Sequence, residues 1–361
     1  MKSLCLPMRA ILASLVVLFS FLALSSPAAV ANVKDFEFRR GMVLGMFHSN
    51  PHISYRTDVE EIYELGCDSI SLSFVLFQDD YDSNTIYAKD DRTAPDYRIR
   101  ETILLAREHG MKVMLFPYLL LDNPSEGKWR GAIAPTDREA WWKSYNEKMV
   151  HYAEIAEACG VESFSIGSEL SSMDMTRDLQ HWRDLIKQIR SVFSGMITYT
   201  ANWDHRDIPF WDDVDYLAVS CYFEIAKTRN PTLEDLITGW KPYKKDLDEW
   251  YARTAKGRPM IFAEIGYPSI DGGAMHPWDY TKPDPADPQE QFLCYEAFRK
   301  TWENCPYLGG VYFYAWFEKG GPQDRSYTPK GKPALEVIRS WYAKSASSPT
   351  TDTLALQAVT N

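Results

Sequence analysis

The chain is poor in cysteine and histidine and has no concentration of positive charge, and each shortage removes a class of protein. It holds 6 cysteines in 361 residues. Cys5 falls in an N-terminal segment treated below. The other five, Cys67, Cys159, Cys221, Cys294 and Cys305, show no Cys-x-x-Cys spacing, which excludes a dense disulfide scaffold and a structural zinc site. Cys67, Cys159 and Cys221 adjoin apolar segments and read as small core residues, whereas Cys294 and Cys305 are left open between free thiols and a bridge. The 7 histidines have no ligand spacing, so no metal is expected. A formal net charge of −11 without a basic run argues against nucleic acid and anionic lipid as partners. There is neither a Gly-rich phosphate loop nor a Gly-x-Ser-x-Gly nucleophile elbow, and no cofactor is called for.

Long apolar runs are equally scarce, with one exception at the start. Lys2 and Arg9 flank the beginning of the apolar stretch 10–24, which leads into Ser25-Ser26-Pro27 and Ala29-Val30-Ala31. A basic start, a short apolar segment and a small-x-small site describe a secretory signal, residues 1–31. The stretch is short for a membrane span of about 20 residues. The expectation is an exported monomer, periplasmic or extracellular, without a membrane anchor once the signal is cleaved.

What the chain has in plenty is aromatic: 12 Trp, 21 Tyr and 17 Phe. These fill a large core and also supply the flat faces on which sugars stack. Their placement follows from eight β-forming segments at 41–47, 68–77, 112–119, 162–170, 196–203, 216–223, 259–267 and 309–317. Amphipathic helical segments separate most of them, at 56–65, 97–109, 139–158, 180–192, 233–254 and 289–304, and a last one follows at 332–343. Gly66, Gly110 and Gly160 stand where helices end before a strand, the usual place for a residue that must adopt positive φ. Only 204–215 separates the fifth strand from the sixth, leaving room for a turn or two of helix. Eightfold alternation of strand and helix predicts a single (β/α)8 barrel over 32–344, and the Ser-, Thr- and Ala-rich tail 345–361 reads as disordered.

Two glutamates, Glu169 and Glu264, close the fourth and seventh strands. Carboxylates are rarely buried in apolar strands unless paired or used. At matching strand ends they converge on the face where such barrels hold their active sites, and two carboxyl groups are the equipment of glycoside hydrolysis. Around them the strand ends offer amides, hydroxyls and large aromatics, a mixture suited to a polyhydroxylated substrate.

The chain resembles glycoside hydrolase family 113, in the A clan of (β/α)8 glycosidases. The resemblance rests on Trp129-Arg130-Gly131 with Trp141-Trp142-Lys143-Ser144-Tyr145, Ile166-Gly167-Ser168-Glu169-Leu170, Tyr199-Thr200-Ala201-Asn202-Trp203-Asp204, Phe262-Ala263-Glu264-Ile265-Gly266-Tyr267 and Val311-Tyr312-Phe313-Tyr314-Ala315-Trp316. It implies a retaining hydrolase of β-linked mannan with Glu169 as acid/base and Glu264 as nucleophile. That requires a proton on Glu169 in the free enzyme, which a neighbouring ionised Glu264 favours. Tyr222 is placed to orient Glu264, and Trp316 to form the floor under the sugar. Ser168, Asn202, Trp203, Tyr118, Trp129 and Arg130 are candidate substrate contacts. Two positions depart from the clan pattern: Ser168 stands where Asn is common, and Phe116-Pro117-Tyr118 where Lys-Pro-His is expected. They motivate two alternatives, a hydrolase of another β-glycan or exopolysaccharide, and a barrel that binds polysaccharide without cleaving it.

Overall fold

The computed structural model describes residues 32–317 and 319–347, so the expected signal segment 1–31 lies outside the described residues, and of the tail expected at 345–361 the first three residues belong to the last helix while the rest lies outside. Eight parallel strands close into one barrel in chain order: β1 (Arg39–Gly45), β2 (Ser69–Gln78), β3 (Lys112–Leu121), β4 (Ser163–Ser168), β5 (Met196–Ala201), β6 (Leu217–Cys221), β7 (Met260–Ile265) and β8 (Leu308–Trp316). Around them run α1 (Arg56–Glu64), α2 (Asp96–Glu108), α3 (Arg138–Cys159), α4 (Leu179–Val192), α5 (Leu233–Thr254), α6 (Pro288–Trp302) and α7 (Ala334–Ser347). This is the (β/α)8 barrel that the alternation predicts. The short β5–β6 link carries one 3-10 turn, Trp211–Asp213.

Two apolar layers account for the closure. Alternate strand residues such as Ile70, Leu72 and Phe74 in β2 pack outward with helix residues such as Val59, Ile103 and Trp141. The intervening set, including Val75, Met114, Phe116, Tyr118, Ile261 and Ala263, fills the barrel interior. Helix ends follow local chemistry. Asp137 accepts a hydrogen bond from Ala140 N at 3.0 Å to start α3, and Thr232 and Asp235 cap α5 reciprocally. Gly160 ends α3 at φ 67, where a Cβ would also collide with the Arg107 guanidinium that donates to Cys159 O at 2.6 Å. The Tyr342 hydroxyl spans the last seam, 2.7 Å from Gly41 O in β1 and 3.0 Å from Val311 O in β8. Cys294 and Cys305 are both free thiols. No helix among the described residues is long and apolar enough to cross a membrane.

Candidate active site

Glu264 reaches the barrel mouth because β7 carries an extra residue. Phe262 and Ile265 face the helices, and simple alternation from Phe262 would turn Glu264 outward too. Val219 and Ser220 of β6, however, pair with Phe262 and Glu264, and Val311 and Phe313 of β8 with Phe262 and Ile265. This bulge lets Glu264 follow Ala263 into the interior. There its Oε1 accepts from the Tyr118 hydroxyl, from across the barrel, and its Oε2 from the Tyr222 hydroxyl at 2.7 Å. Burial first, and then the charge of Glu264, raise the pKa of both tyrosines, so both stay protonated as donors. Burial, followed by the charge of Glu169, pushes the Glu264 carboxyl itself up to about 7, against the opposing pull of the two hydroxyls and Arg130. These surroundings disfavour the ionised form of Glu264 in the free protein.

Glu169 directly follows β4 with a backbone φ of 53, an uncommon conformation for a side chain of its size. The surroundings impose it. Glu169 N donates to Thr200 O at 2.9 Å, and Leu170 N to the Tyr199 hydroxyl oxygen at 2.7 Å. That hydroxyl in turn donates to Asp174 at 2.9 Å, and His205 contacts the other Asp174 oxygen at 2.8 Å. Two positions earlier, Gly167 leaves room for the aromatic buttress: a Cβ there would sit 2.8 Å from the Tyr145 hydroxyl and 3.2 Å from the Trp182 ring. Tyr145, Trp182 and Tyr199 thus hold the end of β4 from behind. The side chain of Glu169 is ion-paired with Arg130 Nη2 at 2.5 Å. The Arg130 guanidinium lies over the rings of Tyr118 and Trp129, at 5.4 and 5.7 Å. Its burial works against its charge, but the carboxylates of Glu169 and Glu264 outweigh that and raise its pKa.

The remaining candidates divide. Ser168 is buried beside Glu169 and its Oγ has no protein partner. Trp129 stands at the rim, 42 % exposed. Asn202 is buried, and its Oδ1 accepts from Trp203 N at 2.8 Å, closing its own turn. Trp203 is partly buried and packs edge-on against Phe223 at 5.4 Å. Trp316 is a correction. Met42 and Leu44 of β1 pair with Phe313 and Trp316, so two steps of β1 oppose three of β8. This second bulge turns Trp316 outward, where its indole Nε1 donates to Glu61 in α1 at 3.0 Å and Lys330 lies over its ring. Tyr314 faces inward in its place, 6.3 Å from Tyr222 and 5.4 Å from Tyr327 between ring centres. Tyr314 and Tyr327 were not among the sequence candidates. The first was legible in the Tyr312-Phe313-Tyr314 alternation; the second, in a loop, gave no signal.

Residues 45–332 match the model of Glycoside Hydrolase Family 113. The fold superposes on the GH113 β-mannanase AaManA from Alicyclobacillus acidocaldarius, solved in complex with ManMIm, with a TM-score of 0.76 and 28% identity over 87% of this chain and 99% of that one. A GH113 β-1,4-mannanase gives a TM-score of 0.75 at 25% identity, over 85% and 99% of the two chains. A β-glucuronidase from Ruminococcus gnavus shares the barrel alone, with a TM-score of 0.61 at 11% identity over 85% of this chain and 50% of that one. No curated protein matches. With two buried glutamates at the mouth of a (β/α)8 barrel and the family model spanning most of its length, the chain belongs to glycoside hydrolase family 113 and is a glycoside hydrolase.

Proposed function

We propose that the protein is an exported hydrolase of β-1,4-linked mannan that retains anomeric configuration, with Glu264 as nucleophile and Glu169 as acid/base. The observation that carries the roles is the asymmetry between the two carboxyl groups. Both oxygens of Glu264 are fixed by tyrosine hydroxyls, which aims a nucleophile and limits its motion. Glu169 is held by one cation, Arg130, as suits a group that must exchange a proton. Glu264 attacks the anomeric carbon while Glu169 gives its proton to the departing glycosidic oxygen. Water then attacks the glycosyl-enzyme, losing a proton to Glu169, and Glu264 leaves as carboxylate. For the first step Arg130 must release Glu169, Glu169 must carry the proton it delivers, and Glu264 must be ionised. The unpartnered Ser168 Oγ is available to a sugar hydroxyl where the clan commonly has Asn. Mannan is supported by the resemblance to β-mannanases, and export by the pattern of residues 1–31.

Initial rates on mannan, β-glucan, xylan and an acidic exopolysaccharide test the polymer. Mannan is expected to be cleaved fastest; a faster rate on another polymer replaces the substrate, and binding without cleavage of any replaces the reaction. The tyrosines give a second expected result. Tyr118→Phe or Tyr222→Phe removes a hydrogen bond to the charged form of Glu264, so the acid limb of kcat/KM moves upward by roughly one pH unit. The sign follows because the nucleophile must be ionised and loses a donor that lowers its pKa. An unmoved or downward-shifted limb in both variants would count against the nucleophile assignment.

A further inference from the structure

Beside the carboxylates lies a pocket of about 430 Å³ whose chemistry differs from the rest of the mouth. It is continuous with the catalytic cluster, since Tyr314 and Tyr327 line it and their rings also pack against Tyr222. Its outer wall holds Tyr280, 73% exposed, with Lys282 and Arg325. We propose that this pocket is a subsite for a sugar unit bearing an anionic group, a carboxylate foremost, bound by Lys282 and Arg325 and stacked on Tyr280. The inference rests on the cleft being a β-glycan site and extends that reading to the substituents of the glycan.

The charges support it in three ways. Neither Lys282 nor Arg325 has an ion-pair partner among the described residues; the polar contact of Arg325 is a 3.4 Å approach to Asp284 O. The acid that lines the same pocket, Asp324, is already engaged, accepting from Lys332 at 2.8 Å and from Ser326 N and Oγ at 2.8 and 2.7 Å. Asp279 is close enough to feel the charge of Lys282, but its carboxylate accepts from Thr281. Local charge in the pocket is therefore positive in a chain of net charge −11, which as a whole repels anionic substrates. Lys and Arg only donate hydrogen bonds, so the pair matches an acceptor-only anion better than a neutral hydroxyl.

The wall is also preformed. Ser326 O accepts from Ser269 N at 3.2 Å and from Lys332 at 3.0 Å, and the Tyr327 hydroxyl donates to Pro277 O at 2.6 Å. The bonds to Ser269 and Pro277 tie the loop after β8 to the loop after β7 directly following Arg325, which lowers the ordering cost of binding.

The test is calorimetric binding to the Glu264→Gln protein, which holds substrate without turning it over. The probes are neutral and C6-oxidised manno-oligosaccharides, with the matching cello-oligosaccharide pair as a second backbone and C6-sulfated manno-oligosaccharides to separate carboxylate from other anions. Two partly exposed ion pairs are expected to make the oxidised form bind roughly three- to tenfold tighter at 20 mM salt, with the advantage lost at 500 mM. Adding Lys282→Gln and Arg325→Gln should bring that ratio to about one. Equal or weaker binding of the oxidised form, or a preference that survives both substitutions, overturns the inference while leaving mannan hydrolysis intact. A charge preference seen on the cello backbone alone supports the subsite and removes mannan as the substrate. A preference confined to the sulfated form overturns the carboxylate assignment, and no binding by any probe overturns both readings.

Discussion

Glu264→Gln is expected to lower kcat by about four orders of magnitude or more, the scale seen when an enzyme loses its nucleophile, and to stabilise the folded protein as pH rises. The two effects share one cause. Glu264 is 2% exposed, and burial and Glu169 raise its pKa from 4.5 to about 7. Between those values the folded state binds more protons than the unfolded chain, so stability falls as pH rises through this window, and the full cost is present above pH 7. The shift is worth roughly 3 kcal/mol as an upper figure for a carboxyl interacting with its neighbour. Gln cannot ionise, and its amide can still accept from one tyrosine and donate to the other. Melting temperatures of the two proteins should converge near pH 4.5 and separate by several degrees by pH 8. A separation that does not grow with pH would mean that Glu264 is not the group holding the proton.

The second large effect is expected at Glu169, and it depends on the leaving group. Glu169→Ala should slow hydrolysis of a mannan bond by roughly 10²–10⁴-fold, the usual contribution of general acid–base catalysis. An aryl leaving group of low pKa departs without protonation, so bond cleavage on an aryl glycoside should be far less affected, and glycosyl-enzyme should accumulate. Azide then restores turnover: it attacks the anomeric carbon, the ester bond to Glu264 breaks, and a glycosyl azide of retained configuration is released. Azide is effective here because the alanine removes both the general base and the negative charge that would repel it. Chromatography and mass spectrometry identify the product. Equal losses on both substrates, with no azide product, would remove Glu169 from the role of acid/base.

The barrel was legible in the sequence because its signal is repeated: each strand is a short run of β-formers, and several helices end at Gly before the next strand. The carboxylates were legible because two acids at apolar strand ends need a reason to be there. What failed was counting in twos. In β4, Ser165 and Ser168 pair with Thr198 and Thr200, and comparable extra residues occur in β7 and β8. One added residue exchanges the faces of everything beyond it. That moved Trp316 outward and left Tyr314 inward, while Glu264 was assigned to the mouth from its position at the strand end. The Arg130–Glu169 ion pair brings a loop residue to a strand end 39 positions away, a contact no local pattern encodes.

Proton NMR of the first sugar released from a short manno-oligosaccharide tests the central claim most directly, because it reads substrate and mechanism together. The double displacement through Glu264 predicts cleavage with the β-anomer appearing first and mutarotation to the α-anomer following. First appearance of the α-anomer would contradict the covalent intermediate, and an uncleaved oligosaccharide would contradict the assignment to mannan.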